Sequence, residues 1–503
     1  MCRFWVENKS MVDQSTAPNK KVSSFSFDVF KLASGTAIAQ ALVILAMPLL
    51  TRLYAPELFG LLSVFTGITS VLTVFVCMSY EYAIVLPEDD GDASNLLGVS
   101  VGFTTLFSLL TVPVICIWGG DIAQLFNVPT LVNYLWMLPL STFLSGLFSA
   151  LNYWVSRTKQ FGRLSIVKVT QSLAATLTKL GSGYAGYATG GMMVGANVGG
   201  QIIATSILGA WIWRENKILL LKSIHWQRML DNIKRYYRFP MYYTGSNLVN
   251  TLSSMTPVFL FSFFFSPVIV GYYSLGMSAL QAPMSLLGNS ISQVLFQKVS
   301  EARLQGRLAS VVEKTFSFLV IIGVFPLLMV TIIGRDLFIV FFGQDWAEAG
   351  VYTQILSASL VLFFVTSPLT VLTAALEKQK FALVTSTVLL ILRSIGIVVA
   401  GVLNDARLGI LLFSLSGFLV YGYRMFVINK FAGITYRKTA EIALRGVIPF
   451  IPAALLFWLL TIYNYLAVPW IVVVIGLILI GGYLCYIFFT QKEILNLFRP
   501  QSR

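Results

Sequence analysis

The sequence predicts an all-α polytopic membrane protein with about 14 transmembrane helices, arranged as two six-helix lobes followed by two more helices. The first observation is composition: 57% of the 503 residues are hydrophobic and 11% are charged, whereas about a quarter of the residues in a soluble domain are charged. The second is a series of long apolar runs. The third is a pattern of prolines and glycines that occurs once in each half of the chain.

The composition also limits the chemistry that the chain can perform. There is one histidine, His225, so a histidine metal site or a Ser-His-Asp triad has almost nothing to be built from. The four cysteines are far apart and three lie in apolar runs, where they behave as small hydrophobic residues. We therefore expect no disulfide framework, no metal site, no cofactor and no enzymatic activity.

Fourteen apolar runs are long enough to cross a hydrocarbon core of about 30 Å as helices. They are too long and too uniformly apolar for the alternation of barrel strands. The runs are 30–51, 61–82, 97–118, 131–155, 164–187, 192–213, 241–265, 268–296, 315–333, 352–376, 381–403, 408–430, 446–463 and 468–489.

The basic residues predict the orientation of these spans. Of the 35 lysines and arginines, all but six fall in the amino-terminal tail, at the alternate turns that lie on the same side as it, or in the carboxy-terminal tail. By the positive-inside rule, we expect both termini to be cytoplasmic. The net charge of +14 is thus an orientation signal that needs no nucleic-acid partner.

Spans and charges together divide the chain into five parts. Residues 1–29 lack the apolar stretch of a signal peptide and predict a disordered cytoplasmic tail. Residues 30–213 form the N-lobe, and residues 241–430 form the C-lobe. Between them, 214–240 predicts a basic amphipathic helix on the membrane surface. Residues 431–503 hold two extra helices and a cytoplasmic end.

An internal repeat relates the two lobes. Each has a proline inside an apolar helix, a second proline in the following short turn and a glycine near the start of the next helix. These residues are Pro48, Pro56 and Gly60 in the first half, and Pro257, Pro267 and Gly271 in the second. Parallel repeats of this kind are typical of transporters whose substrate site lies between the halves.

Three basic residues fall within spans, where a charged side chain is costly unless it faces a cavity or a partner. Lys179 shares one helical face with Lys168, because three turns separate them. Arg393 lies in the corresponding span of the C-lobe. We predict that Lys179 and Arg393 contribute to a cationic cavity, whereas Lys168 is equally consistent with snorkelling to the interface. Snorkelling is the better interpretation of Arg424.

Polar faces occur on the first two spans of the C-lobe. Asn247 and Asn250 follow helical spacing, and Gln281 lies on the next span. Such residues often form hydrogen bonds between membrane helices, but they also provide donors and acceptors for sugar hydroxyls. Glu81 is the clear carboxylate within the cytoplasmic half of a span, and it is predicted either to pair with Lys168 or to take part in ion coupling.

Three stretches resemble the Wzx-type polysaccharide flippases of the multidrug/oligosaccharidyl-lipid/polysaccharide (MOP) exporter superfamily. They are PLLTRLYAPELFGLLSVF from Pro48, EYAIVLPEDDGDASNL from Glu81, and the segment from Phe239 to Ala302 that begins FPMYYTGSNLVNTLSSMTP. The similarity extends over nearly the whole chain. It implies a two-lobe fold of twelve or fourteen helices, in agreement with the spans.

The resemblance implies a location in the bacterial inner membrane, a substrate and partners. The substrate would be an oligosaccharide repeat unit on undecaprenyl pyrophosphate, moved from the inner to the outer leaflet for O-antigen, capsule or exopolysaccharide synthesis. A polysaccharide polymerase and a chain-length regulator are the implied protein partners. A pyrophosphate needs cations, so Lys179 and Arg393, with Lys168 and Arg52, are the expected phosphate ligands. Arg52 is equally consistent with an interfacial anchor.

Other functions remain open at this point. A lipid II flippase of the same superfamily has a closely similar mechanism. A drug or cation antiporter would need carboxylates in its cavity, whereas the deep charges here are mainly basic. A membrane-embedded glycosyltransferase or polymerase would need a sizeable catalytic loop, and the loops between the predicted spans are short.

Overall fold

The computed structural model describes residues 19–462 and 468–490, and all regular elements in these ranges are helical. The all-α class is therefore confirmed. The first helix begins at Asn19, inside the segment predicted to be a disordered tail. The most N-terminal part of that tail and the end of the chain lie outside the described residues.

Six long helices form the N-lobe, and consecutive helices run in opposite directions through the bundle. They are α1 (Asn19–Leu53), α2 (Pro56–Val76), α3 (Asp90–Leu125), α4 (Leu138–Arg157), α5 (Phe161–Tyr184) and α6 (Gly190–Ser223).

The C-lobe begins with a π-helical turn, Phe239–Thr244, and contains six long helices and one short one. They are α8 (Gly245–Phe264), α9 (Pro267–Leu304), α10 (Leu308–Phe342), α11 (Ala347–Thr366), α12 (Val371–Ala375), α13 (Gln379–Val402) and α14 (Ala406–Phe431). Three further helices follow: α15 (Tyr436–Val447), α16 (Phe450–Ile462) and α17 (Pro469–Thr490). All three pack against α10.

Each of the fourteen predicted spans overlaps at least one helix of the described residues, and the chain is a multi-pass membrane protein. Eleven helical segments of the described residues are long and apolar enough to cross a membrane. Helices α5, α8 and α9 fall outside that set. They carry the lysines and amides noted in the sequence, which lower their hydropathy although they lie among the other spans.

The same pattern of helix packing occurs in both lobes. In the N-lobe the packed pairs include α1 with α5, α2 with α4, α3 with α4, α4 with α6, and α5 with α6. The equivalent pairs in the C-lobe are α8 with α13, α9 with α11, α10 with α11, α11 with α14, and α13 with α14. This correspondence is what a parallel repeat of six helices requires, and it agrees with the predicted fold class.

The bundle has two ends, which we call the basic end and the opposite end. The basic end carries the linker between the lobes and the α4–α5 turn, and the opposite end carries the α1–α2 and α8–α9 turns. The linker consists of the end of α6 and a short helix, α7 (Trp226–Arg235). Buried Asn95 of α3 holds this linker, because its amide donates to the Ser223 carbonyl and its side-chain oxygen accepts from the His225 N–H.

At the opposite end the repeated prolines and glycines contact one another across the two lobes. A Cβ atom on Gly60 would lie 1.8 Å from the Pro267 carbonyl oxygen, and one on Gly271 would lie 2.0 Å from that of Pro56. The reciprocity is that of an isologous contact between two related halves. Only glycine allows α2 and α9 to approach so closely.

Further contacts seal the two lobes together at this end. The Trp346 indole N–H donates to the Thr51 carbonyl at 2.9 Å, and its ring meets the edge of Phe59 at a centroid distance of 4.9 Å. The Asn127 amide also donates to the Phe265 carbonyl. The opposite end is therefore closed by backbone contacts, hydrogen bonds and apolar packing.

Candidate functional site

A cavity of about 590 Å³ lies between the lobes in the half of the molecule nearer the basic end. Its walls come from the last turns of α2, the 3₁₀ segment Tyr80–Val85 that follows α2, the middle of α4, and the first turns of α8. In this conformation the molecule is closed at the opposite end, and its cavity lies toward the basic end.

Hydroxyl groups cover the α2 wall of the cavity. Thr69, Ser70 and Thr73 follow helical spacing, and each hydroxyl donates to the carbonyl four residues earlier, at 2.9, 2.7 and 2.7 Å. Each proton is thus committed within the helix, while the oxygen keeps a lone pair that a ligand can use.

Glu81 supplies the charge in the lining of the cavity. The residue is 9% exposed, and Oε2 is buried without a hydrogen-bond partner among the described residues. A buried carboxylate oxygen that lacks a donor costs free energy, which a ligand that donates a hydrogen bond recovers. Glu81 can therefore accept a hydrogen bond from a ligand in the cavity.

Tyr82 and Asn247 connect the two lobes across the cavity. The Asn247 amide donates to the Tyr82 hydroxyl at 3.2 Å, and both side chains line the cavity. Nearby, the Ser79 and Thr244 hydroxyls form a buried hydrogen bond of 2.9 Å. These contacts place the 3₁₀ segment of the N-lobe against the start of α8, so the cavity wall depends on both lobes.

The backbone of the 3₁₀ segment is fixed at both of its ends. Before it, Met78 and Ser79 have φ angles of 49° and 59°, a left-handed conformation that is uncommon for residues other than glycine. After it, the Arg157 guanidinium donates to the Pro87 and Glu88 carbonyls and pairs with Asp90 at 2.8 Å. This arrangement holds Glu81 and its neighbours against the cavity.

Two of the predicted sugar-binding residues lie in this cavity and one does not. Asn247 and Asn250 are both in the lining, whereas Gln281 is exposed on α9 and is not among the lining residues. Glu81 is in the lining, but the predicted pair with Lys168 is not formed in this conformation: within the described ranges, no ion pair joins the two residues.

The predicted cations are distributed through the fold and lie outside this lining. Arg52 is exposed at the end of α1, near the opposite end of the molecule. Lys179 lies in the last turns of α5, where its backbone carbonyl accepts from the Tyr54 hydroxyl at 2.8 Å. Lys168 is half-buried nearer the basic end of α5. For the described part of the chain, neither lysine forms an ion pair.

Arg393 lies within the C-lobe, between α13 and α14. Its guanidinium sits 3.9 Å from the ring centroid of Phe413 and 3.4 Å from the Tyr421 hydroxyl. Its Nε is buried without a hydrogen-bond partner in the described ranges. Arg424 donates to the Thr385 and Ser386 hydroxyls of α13. Aromatic and hydroxyl groups thus replace carboxylates as partners of these cations.

Sequence reasoning missed most of the hydroxyl residues of the cavity. A signal for them exists: Ser141, Ser145 and Ser149 repeat every four residues on α4, and Thr69 and Thr73 have the same spacing on α2. The signal is weak, because a hydroxyl that bonds its own helix is common in any membrane span. Only the contact between α2, α4 and α8 distinguishes these hydroxyls from others.

Comparisons with known proteins agree with this architecture. The family model described as "polysaccharide biosynthesis protein" matches residues 49–351, which is more than half of the chain. No curated protein matches the sequence. The match confirms the resemblance to Wzx-type polysaccharide flippases that the sequence indicated.

Solved structures are similar to this chain at low sequence identity, and the first of the two below shares its fold. The lipid II flippase MurJ in an inward closed conformation is 14% identical, with a TM-score of 0.67 over 93% of this chain and 99% of that one. The MATE transporter VcmN of Vibrio cholerae in its bent form is also 14% identical, with a TM-score of 0.49 over 84% of this chain and 99% of that one. With a match over more than half of its length, the chain belongs to the polysaccharide biosynthesis protein family.

Proposed function

We propose that this protein is a flippase that moves oligosaccharide repeat units linked to undecaprenyl pyrophosphate from the inner to the outer leaflet of the bacterial plasma membrane. The observation that carries the proposal is the cavity between the lobes, whose lining is mostly hydroxyl and amide groups. Sugars present hydroxyl and amide groups on all sides, and such a lining can exchange hydrogen bonds with them. The family match supports the same role in surface polysaccharide synthesis.

The fold suggests how the substrate crosses. The lobes meet tightly at the opposite end and enclose the cavity at the basic end, so we assign this conformation to the stage that receives substrate from the cytoplasmic leaflet. Rocking of the lobes about their shared contacts would open the opposite end, as in other transporters built from repeats. The lipid tail remains in the bilayer throughout, and only the glycan and the pyrophosphate need the protein.

We propose that the predicted cations Lys179 and Arg393 bind the pyrophosphate. Lys179 is free of ion pairs within the described ranges, and Arg393 is held by aromatic rings that a phosphate can displace. Because neither lies in the present lining, we assign their contact with phosphate to a later stage, when the lobes have moved.

The experiment is the sidedness of lipid-linked repeat units in cells that lack this protein. We expect the units to accumulate on the cytoplasmic leaflet and to reach the outer leaflet when the wild-type chain is restored. Asn250→Leu, in the cavity, should restore less transport than Asn216→Leu, which lies on α6 outside the lining. Normal delivery to the outer leaflet without the protein, in a strain with no second flippase, rejects the proposal.

One observation favours a second function, that of a cation or drug antiporter. The sequence suggested a cavity with basic charge, but the charged group in the observed lining is the Glu81 carboxylate, which a cationic substrate would use. Resistance to cationic dyes and their efflux from cells distinguish the two functions. Efflux that depends on Glu81, together with normal glycan sidedness, would favour the antiporter.

A further inference from the structure

The chemistry of the cavity wall bears on which glycans it can hold. Ser70 and Thr73 of α2 donate their protons to helix carbonyls, and Ser254 of α8 does the same to the Asn250 carbonyl at 3.0 Å. All three line the cavity. Toward a ligand they therefore offer oxygen lone pairs, so this part of the wall accepts hydrogen bonds rather than donating them.

Glu81 strengthens this character at one point of the wall. Its Oε2 is buried and has no donor within the described residues, and an ionised carboxylate is an acceptor only. A sugar hydroxyl or an acetamido N–H would supply the missing donor.

A carboxylate on a sugar cannot donate a hydrogen bond to Glu81 or to these hydroxyl oxygens. It carries acceptors only, so the committed hydroxyls cannot donate to it, and Glu81 adds a group of the same kind at the site. Two carboxyl groups that share a buried site cannot both be ionised without a large cost. Other hydroxyl and amide groups of the lining, among them Asn247, Asn250 and Tyr82, remain as neutral donors. The described lining has no positively charged side chain that would compensate for that cost.

We infer that the cavity selects glycans whose entering sugars are neutral or carry amino or acetamido groups, and that it discriminates against uronic acids and other sugars with a carboxylate. The inference rests on the proposed flippase function and specifies its substrate class. Glu81 is the residue that sets the preference, and the α2 hydroxyls support it.

The experiment compares two lipid-linked oligosaccharides that differ in one sugar, a neutral hexose in one and the corresponding uronic acid in the other. Each is produced in cells that lack their own flippase and express this protein, and the outer-leaflet fraction is measured with an impermeant sugar-directed reagent. We expect the neutral glycan to be transported about tenfold faster or more, because a sugar carboxylate leaves buried acceptors of the site unpaired.

Glu81→Gln tests the assigned residue. The amide replaces one acceptor oxygen with a donor and removes the negative charge, so the ratio of uronic-acid to neutral transport should rise about tenfold. Thr73→Val is a second cavity variant that removes one acceptor without touching Glu81, and it should lower transport of the neutral glycan. The matched control is Glu88→Gln, in the exposed loop after the 3₁₀ segment, which should leave the ratio unchanged. Membrane-inserted protein is quantified for every variant.

The outcomes separate the inference from the function on which it rests. Equal transport of both glycans by the wild-type protein overturns the inference and leaves the flippase function standing. Transport of neither glycan rejects the function itself. A ratio that Glu81→Gln does not change, with the variant inserted normally, removes Glu81 from the role assigned to it.

Discussion

At the scale of single residues, a charge within a span does not by itself mark the cavity. Lys179 and Arg393 were identified from sequence because a charged group in a membrane requires a partner. In the structure Arg393 finds that partner in the rings of Phe413 and Tyr421, so its charge is stabilised inside the C-lobe. Glu81, which was expected to pair with a lysine, instead lines the cavity without a partner among the described residues.

Variants of Lys179 and Arg393 test whether these two cations bind the pyrophosphate. Lys179→Ala and Arg393→Ala are each expected to lower glycan transport at least tenfold, because a hydrogen bond to a charged group contributes about 1.5–3 kcal/mol. Transport is measured as the outer-leaflet fraction of lipid-linked repeat units, normalised to inserted protein. Lys179→Arg, which keeps the charge, should restore most of the activity.

Lys222→Ala is the matched control for this test. Lys222 is exposed near the end of α6, so the variant should transport as the wild type does. Arg393→Lys separates the two roles of Arg393, since it keeps the charge but loses the planar group that stacks on Phe413. Normal transport by both alanine variants would contradict a phosphate role for either cation.

At the scale of the helices, the repeat is also a physical contact. Gly60 and Gly271 occupy equivalent positions in α2 and α9. The proline carbonyl of the other half lies so close to each glycine that there is no room for a side chain. The glycine at this position is therefore a requirement of the closed opposite end, and the sequence repeat preserves it in both lobes.

Replacing one of these glycines should open the closed end. Gly60→Ala places a methyl group where the Pro267 carbonyl oxygen now lies, so α2 and α9 must separate. In a chain whose native cysteines are replaced, Ala46→Cys, in the apolar contact beside Leu50, should then react several-fold faster with an impermeant maleimide. Transport should fall at the same time, because the closed conformation that receives substrate is disfavoured.

Gly199→Ala provides the control for this change. A Cβ atom at Gly199 would meet nothing within 4 Å, so neither the cysteine reactivity nor transport should change. If Gly60→Ala leaves the reactivity at Ala46→Cys as slow as in the wild-type background, the reciprocal contact is not what closes this end.

At the scale of the whole molecule, the distribution of lysine and arginine predicts its orientation in the membrane. In a chain without native cysteines, Gln227→Cys in the linker should be labelled only after the cytoplasmic side is made accessible. Asn404→Cys, in the α13–α14 turn at the opposite end, should be labelled in intact cells. The reverse pattern would invert the predicted topology and the direction of transport.

How far the sequence predicts the fold depends on the range of the interactions. Each span was found because about 20 apolar residues in succession are a local property of the chain. Boundaries were less accurate where helices extend beyond the membrane: α6 continues to Ser223 and α3 begins at Asp90. There the helix is fixed by capping and by packing against the linker, and Asp89 caps α3 through the Asp92 N–H.

The candidate site was only partly predictable. Asn247 and Asn250 could be identified because amides within an apolar helix stand out in the sequence. The α2 and α4 hydroxyls could not, because hydroxyls that bond their own helix occur in many spans. Whether such a group binds substrate depends on which helix faces it, and α2, α4 and α8 are brought together from distant parts of the chain.

The sequence by itself determined the all-helical class, the places of the long helices of the two lobes, the predicted orientation and the repeat, because hydropathy, charge and proline–glycine patterns are carried by neighbouring residues. The tertiary structure alone decided which polar groups share one cavity, which cations are stabilised elsewhere and which end is closed. Those features depend on contacts between the two lobes, where the position of a helix, rather than its composition, determines what its side chains meet.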